Sequence, residues 1–467
     1  MSSRSGWRKL ASFISESLRE NTVDFTRGPV NRALGLLAIP MMLEMAMESV
    51  FAVVDIAFVS RLGTDAVAAV GMTEALVTVL YAVAIGLGMG VTAMVSRRIG
   101  AKDHDGAARV TGQAMWAGAI LSLVTGTIGV LYASDMLRLL GAGQSVVNHG
   151  SGYTTVMLGG SASILYLFLL NAAFRGAGDA TIALRSLWLA NGINIVLDPL
   201  FIFGIGPFPE LGVTGAAVAT TIGRSAGIIY QLSYLYGGRG RLAFAMHHLR
   251  LDGALIWRLF LISLGGISQF LIATASWIAL MRIVALYGSA AVAAYTISLR
   301  MLEFAILPAW GLGNAAATLV GQNLGAGLPD RAARSAWQAA KINAAFMFVV
   351  GVLMLFLARE ITGVFTNDPE VLRVGTDCLR ILGVGYPAYA VGMIMIQALN
   401  GAGDTKSPSV LNFLCFWLLQ IPLAYWLAEP AGFGPNGVFV SIVVSESLLS
   451  LAGVLVFRRG RWKTQIA

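Results

Sequence analysis

Three carboxylates lie in one apolar stretch of the sequence, residues 40–60, which is long enough to cross a bilayer. The acids are Glu44, Glu48 and Asp55. At about 100° per residue, their spacing places all three within about 40° of one another on one helix face. An acid at membrane depth costs about 2.5–3.5 kcal/mol on insertion scales, so it should face protein or water. The stretch therefore predicts a membrane-spanning helix with a functional acidic face.

A second candidate site begins at Asn194. Asn194 and Asp198 are four residues apart and share a helix face, and Pro199 weakens the local helix hydrogen bonding so that a backbone carbonyl becomes free. Such oxygens are hard ligands that suit Na⁺ or a shared proton. The residue types do not distinguish between these two ions. The histidines lie in predicted loops without the spacing of metal ligands: His104, His149, His247 and His248.

The composition is that of a membrane protein. Of 467 residues, 57% are hydrophobic and only 12% are charged, whereas soluble domains carry about 25% charged residues. The apolar runs are long and unbroken, which excludes the short alternating strands of an outer-membrane barrel. Spanning segments should be helices, because each must satisfy its own backbone hydrogen bonds.

Hydropathy predicts twelve transmembrane helices in two six-helix lobes. The first six are 33–60, 68–96, 108–132, 151–174, 183–205 and 212–236. The second six are 256–285, 291–319, 336–358, 374–399, 408–428 and 436–457. We therefore expect an N-terminal tail (1–32), an N-lobe (33–236), a linker (237–255), a C-lobe (256–457) and a C-terminal tail (458–467).

An internal repeat relates the two lobes. Residues of the same type recur 225 positions apart: Gly63 with Gly288, Ala66–Ala69 with Ala291–Ala294, Gly100 with Gly325, and Asp179 with Asp404. The offset falls to 223 at Pro199 and Pro422 and to 222 at Gly215 and Gly437. Six spans per lobe keep the repeats parallel, so they should be related by a pseudo-twofold axis along the membrane normal.

The distribution of lysine and arginine predicts the orientation. With a cytoplasmic N-terminus, 24 of these residues fall in cytoplasmic segments and 5 in external ones. This bias places both termini in the cytoplasm of a multi-pass protein of the cell (inner) membrane. It also explains the net charge of +8 without a nucleic-acid partner.

The membrane acids break the repeat. Asp55 corresponds to Leu280 and Asp198 to Ile421, while Glu44 and Glu48 correspond to Gln269 and Ala273. Acids that only held helices together should occur in both lobes. The alternative for Asp55 and Asp198 is a structural pair bonded to neighbouring polar groups.

Other acidic residues in the predicted spans have a simpler explanation than a role in transport. Glu44 and Glu48 lie in the first turns of their helix, where water could reach them. Glu303 is a candidate for substrate contact, but Arg300 precedes it by three residues, which favours a local ion pair.

Several motifs together resemble the multidrug and toxic compound extrusion (MATE) family. They are IPMMLEMAMESVFAVVDIAFVSRLG, RGAGD, NxxxDPLFIFG, GxxGAAVAT, VGQNLGAG and NGAGDT. The NxxxDP spacing resembles the DinF-like branch of that family. The resemblance implies an antiporter that exports organic cations and drugs in exchange for H⁺ or Na⁺, with Asp55, Asn194 and Asp198 as coupling residues. It also implies Thr220 as a further ligand and, more loosely, Tyr166 as a site residue.

The expected function is therefore multidrug efflux by alternating access, by a monomer without a cofactor beyond the coupling ion. One alternative function is that of a flippase for lipid-linked oligosaccharides, which needs a basic cavity to bind pyrophosphate. The only candidate residues for such a cavity are Arg224, Arg282 and Arg300. The other is an intramembrane transferase, which needs paired acids near the lipid headgroups.

Overall fold

The computed structural model describes residues 2–19, 23–238, 240–242 and 244–465, and its regular structure is helical throughout these residues. The first half contains α1 (Ser2–Ser17), α2 (Val30–Val59), α3 (Thr64–Gly100), α4 (His104–Leu139), α5 (Gln144–Gly159), α6 (Ser161–Ala177), α7 (Ala180–Phe203) and α8 (Val213–Tyr236). The second contains α9 (Gly253–Val284), α10 (Ser289–Gly325), α11 (Pro329–Gly363), α12 (Pro369–Gly401), α13 (Lys406–Asn412), a π-helical segment (Phe413–Gln420), α14 (Ile421–Ala428) and α15 (Pro435–Arg458).

These helices form the twelve predicted spans. In the described residues, ten helical stretches are long and apolar enough to cross a membrane, and the pair α5 and α6, bent by 40°, forms an eleventh. The remaining span is α8. The predicted span 151–174 covers only part of the bent pair, because the first two turns of α5 include Gln144, Asn148 and His149 and are too polar to be recognised by hydropathy. Helix α3 likewise extends beyond the prediction, since its polar ends remain helical outside the apolar core.

The two lobes, α2–α8 and α9–α15, meet through symmetry-related glycines. A Cβ on Gly100 would lie 1.9 Å from the carbonyl oxygen of Gln322, and one on Gly325 would lie 1.9 Å from that of Arg97. Both glycines and both carbonyls are 225 residues apart. The sequence repeat therefore corresponds to a pseudo-twofold relation between the two lobes. Glycine at these positions permits the backbones of the two lobes to approach closely.

The segments near the two ends of the described chain, residues 25–28 and Lys463, lie at one end of the bundle, which we call the termini face. There, Lys463 near the C-terminus contacts Asp330 at 2.9 Å, and the adjacent Arg331 donates hydrogen bonds to the carbonyls of Phe25, Arg27 and Gly28. All hydrogen bonds between the lobes in the described part of the chain lie near this face.

Three of these bonds join the last turns of helices from opposite lobes. Thr318 donates to the carbonyl of Arg175 at 3.2 Å, and Gln322 donates to that of Gly176 at 2.9 Å. Arg97 donates to the carbonyl of Ala402 at 3.4 Å. The lobes are consequently closed against each other at the termini face.

Candidate functional site

The structure brings Asp55 on α2 and Asp198 on α7 together in the N-lobe. Their carboxyl groups are close enough to interact with each other. Asp198 is 0% exposed, and its Oδ1 accepts a 3.2 Å hydrogen bond from the Asn194 amide. The same amide donates to the Thr220 hydroxyl on α8 at 2.9 Å. All four residues expected to couple to an ion thus form one group, which we call the acid pocket.

The acid pocket contains oxygen atoms without partners. Oδ1 of Asp55, Oδ1 of Asn194 and Oδ2 of Asp198 are buried and accept no hydrogen bond. Two ionised carboxylates in contact repel each other, and a proton or cation held between them removes that repulsion. The donor set is made of hard oxygens and fits Na⁺ or a proton.

Local sequence explains why α7 and α8 can build this pocket. A Cβ on Gly223 would lie 2.4 Å from the carbonyl of Ala190, so only glycine permits this approach of the two helices. Pro199 has no N–H to offer the carbonyl of Ile195, one turn earlier. Both features lie within one turn of a pocket residue.

A cavity lies between the two lobes and contains about 1110 Å³ of empty space, including its opening. The N-lobe contributes its charged groups, and both lobes contribute apolar side chains. The charged groups are Glu44, Glu48 and Arg175, and the larger apolar ones are Met45, Ile85, Met89, Phe168, Leu187, Phe270, Leu307 and Trp310. The cavity therefore combines carboxylates with flat, polarizable surfaces, which favours aromatic cations.

Glu44 is held in place by a buried network. Its Oε1 accepts hydrogen bonds from Arg175 at 2.9 Å and from Asn171 at 3.1 Å, and Gln231 in turn donates to Asn171. Glu44 is only 1% exposed. Its charge is therefore balanced by Arg175 inside the protein.

Glu48 has a weaker set of contacts. The Asn191 amide approaches it at 3.5 Å, and it forms no ion pair with a described residue. Its negative charge is consequently the one in the cavity wall without an ion-pair partner.

The C-lobe wall of the cavity is lined by amides. These amides are Asn314, Gln397 and Asn400. Asn400 donates to Gln397 at 3.2 Å, and Gln397 donates to Asn314 at 3.3 Å. Asn400 also exchanges hydrogen bonds of 3.0 and 3.1 Å with Gln269, which does not line the cavity. These side chains are neutral. The charge of the cavity is therefore asymmetric between the lobes.

Two candidate residues lie outside both sites. The ring of Tyr166 lies next to Gly118 on α4 and does not line the described cavity. Glu303 is exposed and pairs with Arg300 at 3.2 Å, which is the local ion pair expected from the sequence.

Sequence reasoning missed the roles of Arg175, Tyr81 and Arg224. Arg175 directly precedes the GAGD of the RGAGD motif, and nothing in that motif indicates a partner for its charge. Arg224 is 8% exposed and donates to the Tyr81 hydroxyl at 2.6 Å. These contacts join spans far apart in sequence. Of the three arginines proposed for a basic cavity, Arg224, Arg282 and Arg300, none lines the described cavity.

The fold also groups Asp105, His247 and His248 at the linker, with ligand atoms within 4.8 Å of one another. His248 Nδ1 accepts the Ala245 backbone N–H at 2.9 Å, so Nε2 carries the proton that faces Asp105 at 2.8 Å. That nitrogen therefore has no lone pair for a metal. Bonds from His248, Arg109 and His247 hold the pKa of Asp105 well below its usual range.

Comparison with known proteins agrees with this architecture. The MatE family model matches residues 40–200 and 267–426, once in each lobe and more than half of the chain. The chain is 27% identical to the "Probable multidrug resistance protein YoeA" of Bacillus subtilis, over 91% of this chain and 93% of the relative. It is also 27% identical to a "FAD transporter" of Shewanella oneidensis, over 91% of this chain and 93% of that protein.

A solved structure shows the same fold. An outward-facing multidrug resistance transporter of the MATE family matches with a TM-score of 0.88 at 26% identity, over 94% of this chain and 98% of that one. The chain belongs to the MATE family of membrane transporters.

Proposed function

We propose that this protein is a secondary antiporter of the DinF-like branch that exports organic cations across the cell (inner) membrane in exchange for H⁺ or Na⁺. The observation that carries the proposal is the contact between Asp55 and Asp198, with three unpartnered oxygens around it. Unsatisfied buried polar groups are costly, and three of them around one pair of acids support a cation at this place. The acid pocket is therefore built to receive a cation.

The cavity supplies the substrate site. Glu48 provides a negative charge, and Met89, Phe168 and Trp310 provide polarizable and aromatic surface. Organic cations match both features. The multidrug names of relatives support this substrate class.

The closed termini face supports alternating access. With both termini in the cytoplasm, as the lysine and arginine distribution indicates, the lobes are closed on the cytoplasmic side and the structure is outward-facing. A cation then enters the acid pocket from outside, and substrate leaves. Rocking of the lobes exposes the pocket to the cytoplasm, where the ion leaves and new substrate binds. The direction of transport follows from the different affinities of the outward-facing and inward-facing states for the ion and the substrate.

The experiment is transport into and out of vesicles that contain the purified protein. Efflux of tetraphenylphosphonium is measured under an imposed Na⁺ gradient at equal pH, and under a pH gradient at equal Na⁺. One gradient should drive concentrative transport, and the matched vesicles without a gradient should not. Equal transport in all three conditions would contradict the proposal.

A further inference from the structure

Four amide side chains of the C-lobe form one continuous row of hydrogen bonds that ends at the cavity between the lobes. The row runs from Gln269 on α9 through Asn400 and Gln397 on α12 to Asn314 on α10. The first three are at most 5% exposed, whereas Asn314 is half-buried and lines the cavity. The row therefore connects buried polar groups of the lobe with the surface that a substrate would contact.

A backbone carbonyl fixes the direction in which the first amide of the row points. The oxygen and the nitrogen of an amide are similar in size, so its orientation is decided by its hydrogen-bond partners. Gln269 donates to the carbonyl oxygen of Thr405 at 3.3 Å, and a carbonyl oxygen can only accept. The nitrogen of Gln269 therefore faces Thr405, because the reverse orientation would place two acceptors against each other.

The orientation of each further amide follows from the one before it. The oxygen of Gln269 accepts from the nitrogen of Asn400, which also donates to the oxygen of Gln397. The nitrogen of Gln397 then donates to the oxygen of Asn314. The nitrogen of Asn314 has no hydrogen-bond partner among the residues that the structure describes. The row thus ends with a free donor, and not an acceptor, at the cavity surface.

Packing between α10 and α12 holds this donor in place. A Cβ on Gly313, the residue before Asn314, would lie 3.1 Å from the side chain of Gln397. Glycine at this position therefore leaves room for Gln397 to reach Asn314. The donor is fixed both by this close packing and by the row of hydrogen bonds behind it.

We propose that the Asn314 amide binds a neutral hydrogen-bond acceptor of the substrate, so that the preferred substrates are aromatic cations that also carry a carbonyl oxygen or a ring nitrogen. An anionic acceptor is disfavoured, because Glu48 lines the same cavity and forms no ion pair with a described residue. The inference rests on the proposed export of organic cations and specifies which of them bind best.

The free N–H groups of Asn314 give this preference its physical basis. A ligand that covers them without offering an acceptor removes their water and leaves them unpaired, which is unfavourable. A ligand with an acceptor at this place replaces the lost water by a direct hydrogen bond. The preference should therefore depend on one amide of the C-lobe, while the cationic charge of the ligand is attracted by Glu48 of the N-lobe.

The test compares two N-methylquinolinium cations with a substituent on the same ring carbon. One carries an acetyl group, and the other carries an isopropenyl group, in which a CH₂ group replaces the carbonyl oxygen. Each cation competes with labelled tetraphenylphosphonium for the purified protein. The wild type should bind the acetyl cation about 2- to 10-fold more tightly, which is the contribution of one neutral hydrogen bond.

Asn314→Leu removes the donor at a similar side-chain volume, so it should bind the two cations with affinities that differ by less than about twofold. Asn314→Asp provides a second route if Asn314→Leu does not fold. It keeps an oxygen that accepts from Gln397 and replaces the free donor with an acceptor, so it should also lose the preference. A wild-type affinity ratio in either variant would overturn the inference.

Leu307→Ala is the matched control. Leu307 lies about two helical turns before Asn314 on α10 and also lines the cavity. Its truncation removes apolar contact, so it should weaken both quinolinium cations alike and keep their affinity ratio. A loss of the ratio in this variant as well would show that the preference does not depend on the Asn314 donor, against the inference.

Tetraphenylphosphonium has no acceptor and separates this inference from the proposed function. If it and both quinolinium cations fail to bind the wild type, the proposed export of organic cations fails, and the inference fails with it. If all three bind and the wild type does not prefer the acetyl cation, only the role of Asn314 is wrong.

Discussion

The N-lobe and the C-lobe share a fold but differ at corresponding positions. Asp55, Asp198 and Thr220 of the acid pocket correspond to Leu280, Ile421 and Ile442, at offsets of 225, 223 and 222. The first three surround unpartnered oxygens. The other three belong to one hydrophobic cluster.

This difference separates the requirements of the fold from those of function. The C-lobe shows that apolar side chains fill these positions without loss of the architecture. The polar residues in the N-lobe are therefore not needed for packing, and their buried acceptors come at a cost in stability. Arg224 corresponds to Glu446 at an offset of 222, so the charge at this position is positive in the N-lobe and negative in the C-lobe.

The largest expected effect comes from the acid pocket. Asp55→Asn or Asp198→Asn should reduce ion-driven transport by about 100-fold, because each variant removes one negative charge from the ion site. Coupling between an ion site and a substrate site is typically of this magnitude. Vesicle transport under the gradient that drives the wild type measures it. Leu280→Asn, at the corresponding C-lobe position, is the matched control, and an equal loss there would remove the distinction between the lobes.

The next largest effect is expected at the glycine contacts between the two lobes. Gly100→Leu and Gly325→Leu should each destabilise closure of the termini face by about 1–3 kcal/mol or more, because each side chain overlaps a backbone carbonyl. Distances between spin labels on the two lobes report the closed population. The pseudo-twofold relation predicts similar shifts for the two variants.

Gly71→Leu is the control for this experiment, since a Cβ at Gly71 on α3 would meet nothing within 4 Å. A shift caused by only one of the two interface variants would contradict the symmetric account of closure.

A smaller effect is expected at Glu44. Glu44→Gln turns two hydrogen bonds to a charged group into bonds to a neutral amide, a loss of about 1–2 kcal/mol in stability. Thermal unfolding of the purified protein should show a lower midpoint, and the double variant with Arg175→Gln should recover part of the loss because no lone charge remains. An unchanged midpoint in Glu44→Gln would show that the pair does not stabilise the lobe.

The smallest effect is expected at Glu446. It lies on α15 of the C-lobe, away from the acid pocket and outside the cavity lining. Glu446→Gln should change transport by less than about twofold, as substitutions away from special features do. A loss as large as that of Asp55→Asn would reveal an ionic site in the C-lobe.

The sequence was sufficient to predict the number of spans and the repeat, because hydropathy and spacing are local properties. It also identified Asp55 and Asp198 as unusual, since their counterparts are apolar. It did not reveal that Glu44 pairs with Arg175 or that Arg224 contacts Tyr81. Those contacts depend on how distant helices pack, and a single sequence carries no signal of such packing.

The central claim is that one cation binds in the N-lobe, between Asp55 and Asp198. Direct binding of the coupling cation to the purified protein, by radioactive Na⁺ or by proton uptake on a pH step, tests it without transport. We predict one bound cation per wild-type chain and none for the Asp55→Asn, Asp198→Asn double variant. Undiminished binding in the double variant would contradict the account.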